Sequence, residues 1–200
     1  MRRLVILIVA CGVLAGCYTS SQRGGRATMA IYDFGPSPDA LAQPVRQSPA
    51  LEVWAPLWFD SQSIAYRLHY ADAARLREYT RARWAGPVAQ MIEQRTAQRL
   101  GLAMAGQGGA RCIVRVEMIE FSQSFSAPAN SVGVLRARVA LLDLSRRQLA
   151  ERMVHIERNA PTADARGGVA ALTAAVDGLA EQLRAWERLF DGQGTPGCAD

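Results

Sequence analysis

Cys112-Ile113-Val114-Arg115-Val116-Glu117-Met118-Ile119-Glu120-Phe121 decides the fold. Val114, Val116 and Met118 fall on one side of an extended chain, and Arg115 and Glu117 fall on the other. The pattern returns twice. Residues 132–144 set Leu135, Ala137, Val139 and Leu141 against Arg136 and Arg138, and residues 149–158 set Val154 and Ile156 against Glu151, His155 and Glu157. Such alternation predicts antiparallel strands with one buried and one solvated face, the last two joined by a hairpin through residues 144–148.

Downstream, Gly167-Gly168 precedes a predicted helix of about twenty residues. Its stripe is Val169, Leu172, Val176, Leu179, Leu183, Trp186 and Phe190. Upstream, a helix is predicted over residues 84–100, with Pro87 in its first turn and Gly101 at its end. Before it, residues 29–34, 51–56 and 63–68 read as short strands, and the proline-rich segment 36–49 reads as a loop. The order is three strands, a helix, three strands, a helix. This predicts one α+β domain, with a mainly antiparallel sheet and two principal helices packed on one face.

Residues 1–16 are a different kind of segment. Arg2-Arg3, then about twelve apolar or small residues, then Leu14-Ala15-Gly16-Cys17 make a secretory signal ending in a lipobox. The apolar run falls short of the roughly twenty residues that span a bilayer. Cys17 then becomes the acylated N-terminus, and residues 17–27 form the lipidated start and a polar, glycine- and serine-rich tether. Ten such residues reach about 17 Å. The domain proper covers residues 28–191, and residues 192–200 are a tail. Tyr18, rather than an aspartate, follows the cysteine and points to the periplasmic face of the outer membrane.

Without Arg2 and Arg3 the chain carries 21 basic and 18 acidic residues, every basic one an arginine. The opposite charges are interspersed, so the high pI does not indicate nucleic-acid binding. In an oxidising compartment the remaining thiols, Cys112 and Cys198, either pair or stay apart, with Cys112 buried in a strand and Cys198 on the tail; pairing is favoured. Neither has a second Cys or His at metal-ligand spacing, so no metal or other cofactor is expected. No nucleophile elbow, zinc helix or phosphate-binding glycine loop is present. His155 reads as a solvated histidine, and Glu117 and Glu120 fall on opposite faces of a regular strand, so catalysis is not expected. Trp54 shares a strand face with Glu52 and has Trp58 close by. The two are either covered by loops or helices, or form an interface for a protein partner or a second copy of the chain.

Several segments together resemble one family. They are the lipobox, Ile31-Tyr32-Asp33-Phe34-Gly35, Leu51-Glu52-Val53 with Phe59-Asp60, and Ile64-Ala65-Tyr66-Arg67. Glu78-Tyr79, Trp84-Ala85-Gly86-Pro87, the strand from Cys112 to Phe121, and Ala160-Pro161-Thr162-Ala163-Asp164 complete the set. Over the whole mature domain this is similar to the ABC-type transport auxiliary lipoproteins, the PqiC-like lipoproteins. The resemblance implies an outer-membrane lipoprotein working with an MCE-domain protein and an ABC transporter in lipid traffic. Tyr66, Arg67, Tyr79 and Trp84 read as structural, since an arginine beside aromatics stacks and hydrogen-bonds at once. The alternatives are a lipoprotein that activates or scaffolds another envelope machine, in cell-wall synthesis or outer-membrane assembly, and a periplasmic small-ligand carrier.

Overall fold

The structure, a computed structural model, describes residues 28–36 and 45–191. Its strands are β1 (Ala30–Tyr32), β2 (Arg46–Trp54), β3 (Ser63–Leu68), β4 (Asp72–Trp84), β5 (Leu102–Met104), β6 (Cys112–Ala127), β7 (Asn130–Asp143) and β8 (Gln148–Asn159). Its helices are α1 (Val88–Leu100) and α2 (Ala165–Asp191). All eight strands belong to one sheet.

The alternating stretches make the backbone of that sheet. β6, β7 and β8 form a long antiparallel meander, with Val116 opposite Val139 and Ala137 opposite Val154. Around it the sheet is mixed, which the alternation alone does not disclose. β2 and β3 both run parallel to β6, β1 runs parallel to β4, and β5 runs parallel to β2; only β3 and β4 add a further antiparallel pair.

β2 and β3 lie end to end along one edge of β6. Trp54 pairs with Glu117 and Tyr66 with Gln123, while β7 occupies the other edge throughout. Twelve residues of chain therefore span six residues of β6, and the surplus is extruded as the loop 55–62. The loop is built, not slack. Phe59 and Asp60 donate backbone N–H bonds to the Pro56 carbonyl at 2.8 and 2.9 Å, and the Phe59 ring is buried. Asp60 Oδ1 accepts from the Ala89 N–H at 3.2 Å, serving the open start of α1, where Pro87 has no capping side chain.

Both helices cover one face of the sheet. Val169, Leu172, Val176, Leu179, Leu183 and Trp186 of α2 are buried there against Leu135, Val139 and Ile156; the Phe190 side chain lies outside the described ones. Asp164 caps α2 through its Oδ1, which accepts from the Gly167 N–H at 2.8 Å. The glycines are needed for close approach. A Cβ on Gly168 would stand 2.1 Å from Gln123 Oε1, and one on Gly133 of β7 would stand 2.7 Å from the α2 backbone at Ala171 and Leu172.

Several boundaries differ from the sequence reading. The helix predicted from residue 84 starts at Val88; Trp84 instead ends β4, buried beside Phe34 and Phe121. β4 is strongly bulged, Ser63 pairing with Arg83 but Ala65 with Glu78, so its sequence shows no steady alternation. β2 begins inside the predicted loop, at Arg46, with a cis bond before Pro49. β5 is too short to carry a pattern. A bulge in β6 between Met118 and Glu120 shifts the alternation, so that Phe121 rejoins the core and Glu120 turns to the same face as Glu117.

Candidate functional site

The face of the sheet away from the helices carries the polar halves of the alternating strands. Its most connected acid is Glu52 of β2. Arg115 Nε donates to Glu52 Oε2 at 3.0 Å and Arg146 Nη1 to the same oxygen at 2.8 Å. Burial pushes the Glu52 carboxyl up, but hydrogen bonds from Arg115 and Trp54 and the charge of Arg115 outweigh it and hold the group below the usual range. The Arg115 guanidinium also stands 5.1 Å from the Trp54 ring centroid. Trp54 is thus fixed by two neighbours while 56% exposed. Arg138 continues the charged row, 4.0 Å from Glu117 and 3.9 Å from Glu151, and His155 pairs with Glu157 at 3.1 Å. Glu120 belongs to Arg67, which it meets at 3.0 and 3.3 Å.

Trp58 lies elsewhere. It projects from the extruded loop, 71% exposed, beside Leu57 at 90%. The two tryptophans named from sequence are therefore both exposed. One lies on the sheet and the other stands off a loop tip.

The aromatic residues of the recurring motifs are structural. Tyr66 and Tyr79 stack with centroids 4.7 Å apart, and the Tyr79 hydroxyl donates to Gln123 Oε1 at 2.8 Å. Burial, with Tyr66 and Asp164 adding to it, pushes that hydroxyl up so that it stays a donor. Gln123, itself fully buried, donates on to Ser131 Oγ at 2.8 Å. Sequence reasoning missed a second polar knot. Arg95 of α1 grips Asp177 of α2 with two bonds, at 2.9 and 3.0 Å, and donates to the Phe34 and Gly35 carbonyls. Nothing in a string of glutamines and arginines along α1 marks Arg95 as the buried one.

Grooves of about 450 and 590 Å³ flank the segment Asp33-Phe34-Gly35, one against Val169 and Thr173, the other against Gln90, Gln94 and Gln98. The space between helices and sheet is filled by Leu51, Val116, Leu135, Leu172 and Leu179. Among the described residues no cluster of His, Cys, Asp or Glu is arranged to hold a metal, and no helix is long and apolar enough to cross a membrane. Cys112 is buried at the start of β6 and disulfide-bonded. Leu14, Ala15, Gly16, Cys17 and Cys198 lie outside the described residues.

The family model for the ABC-type transport auxiliary lipoprotein component matches residues 32–184. The chain belongs to this family. It is therefore an auxiliary lipoprotein of an ABC-type transport system, which places it at the cell envelope. Among solved structures, the crystal structure of a Xanthomonas campestris protein of the DUF330 family shares the fold. Its TM-score is 0.63 at 20% identity, over 83% of this chain and 94% of that one. A crystal structure of an uncharacterized protein does so with a TM-score of 0.60 at 14% identity, over 79% and 97%. No curated protein matches the chain.

Proposed function

We propose that this auxiliary lipoprotein serves an MCE-type lipid-transport system from the periplasmic face of the outer membrane, by holding protein partners rather than by catalysis. The observation that carries this reading is the helix-free face. An exposed tryptophan, locked by Arg115 and Glu52 at the end of a charged ladder, is a preorganised anchor, the type of residue that dominates interface energetics. Family membership supplies the transport context. Affinity capture from detergent-solubilised envelope tests it. Wild-type bait is expected to retain an MCE-domain protein and ABC-transporter subunits, and Trp54→Ala or Arg115→Ala bait to lose them. Recovery of cell-wall synthesis or outer-membrane assembly components instead favours a scaffold of those machines, and recovery of the same chain alone favours a homo-oligomer.

A further inference from the structure

The rim of the sheet where the tether enters gathers features that the partner-binding face does not use. Ile31 of β1, 58% exposed, pairs with Arg83 of β4, which pairs with Ser63 of β3. These three residues form one row across neighbouring strands, about 10 Å wide at two strand spacings. Ser63 follows directly on the extruded loop that presents Leu57 and Trp58. Met29, 49% exposed, lies where the tether joins β1, and Arg81 precedes Arg83 by two residues on the same exposed side of β4. Four apolar side chains and two cations thus share one rim. Among the described residues Arg81 and Arg83 have no acidic partner. Of the acids on the adjoining segments, Asp33 Oδ1 accepts from Gly35 N–H at 2.8 Å and Asp60 Oδ1 accepts from Ala89 N–H at 3.2 Å, while Glu78 of β4 is exposed and makes no ion pair with either arginine.

We propose that this rim rests on the anionic phospholipid surface to which the chain is tethered, with Leu57 and Trp58 dipping among the headgroups and Arg81 and Arg83 facing their phosphates. The occupant follows from the chain itself. The tether of ten polar residues has a typical reach of about 17 Å and enters at Met29, so a membrane holding the acylated Cys17 lies close to this rim. Tryptophan and leucine on a rigid tip, beside unpaired arginines, suit an interface that is apolar below and negatively charged above. The proposal rests on the lipoprotein reading, and it assigns Trp58 to lipid while Trp54 stays with the protein partner. Seated this way, the domain holds a fixed tilt to the membrane.

Vesicle flotation tests it, with the chain from residue 17 onward carrying Cys17→Ser so that neither signal nor acyl chains contribute. It is expected to float with phosphatidylethanolamine–phosphatidylglycerol vesicles (3:1) and not with phosphatidylcholine vesicles. Leu57→Ser with Trp58→Ser lowers the affinity about tenfold or more, with the melting temperature unchanged. Arg81→Gln and Arg83→Gln lower it about fivefold each, an effect that fades in high salt. The blue shift of tryptophan emission on vesicle binding disappears in Trp58→Phe, which still floats. Failure to float, or rim variants that float as well as the parent, overturns the proposal. Rim variants that float normally but lose a captured protein partner also overturn it and make the rim a protein interface. Absence of a palmitate-analogue label on the wild-type chain overturns the anchoring itself, separately from the vesicle result.

Discussion

Arg95 shows how much one side chain can hold together here. Its guanidinium is nearly sealed from solvent, joins α1 to α2 through Asp177, and reaches the carbonyls of Phe34 and Gly35 beyond β1. A buried pair contributes little net energy compared with an apolar replacement, but removing one partner strands a charge in the interior. Asp177→Ala is therefore expected to cost about 3–5 kcal/mol in chemical denaturation, and Arg95→Met with Asp177→Leu to recover most of that loss. Arg99, 3.5 Å from the same carboxylate, does not rescue Asp177→Ala because it loses the same partner. At this scale the sequence was partly legible. Alternation alone assigns Trp54 to the charged face, where it meets Arg115 and Glu52. Arg95 was not legible, because α1 carries Arg95 and Arg99 four residues apart, and only the position of Asp177 on the other helix shows how deeply each is drawn in. Regular alternation puts Glu120 on the wrong face, because one bulged residue moves every later side chain across the sheet.

The elements divide in the same way. β6, β7, β8 and α2 were readable because each is long and keeps one period against one core face. β4 was not, since its bulge breaks the period between Glu78 and Arg83, and β5 has three residues. The parallel ladders were hidden for another reason: which strand lies beside β6 depends on tertiary packing, not on any local pattern. The join between α2 and the sheet is close enough to be tested by adding one carbon. Gly133→Ala sets a methyl against helix backbone that cannot rotate away, and is expected to cost about 1–3 kcal/mol or more in thermal or chemical unfolding. The cap of α2 is pH-sensitive. The Gly167 N–H, the Thr162 hydroxyl and other nearby donors hold Asp164 below its ordinary value of 3.8. A depressed carboxyl stabilises the fold at pH values above its unfolded pKa, and that contribution fades as pH falls through the folded one. Asp164→Ala is thus expected to cost about 1 kcal/mol near neutral pH. The gap between wild type and variant should narrow below about pH 4, and a gap that widens on acidification would refute the cap.

For the whole molecule, the sequence reading makes both the anchoring and the tie at the chain's end depend on cysteine. Cys17→Ser removes the only thiol that the lipobox Leu14-Ala15-Gly16 presents for acylation, so the chain is expected to lose palmitate-analogue label. The second feature concerns stability. Cys112 opens β6, the strand that pairs with β2, β3 and β7, and it is fully buried and disulfide-bonded. If Cys11 leaves with the signal and Cys17 is acylated, as the sequence reading expects, Cys198 is the one remaining thiol in the sequence. A Cys112–Cys198 bridge closes a loop of about 87 residues, for which chain entropy gives up to about 4.6 kcal/mol. The loop contains β7, β8 and the whole of α2, so the bridge ties the end of the chain back to the sheet's central strand. Peptide mapping under non-reducing conditions is expected to recover the Cys112–Cys198 pair from periplasmic protein. Cys198→Ser and reduction of the wild type should lower the unfolding midpoint by the same amount, and reduction should then leave Cys198→Ser unchanged. A variant still destabilised by reductant would mean that Cys112 is bonded to a different cysteine, and the stability of α2 against the sheet would then rest on its apolar stripe alone.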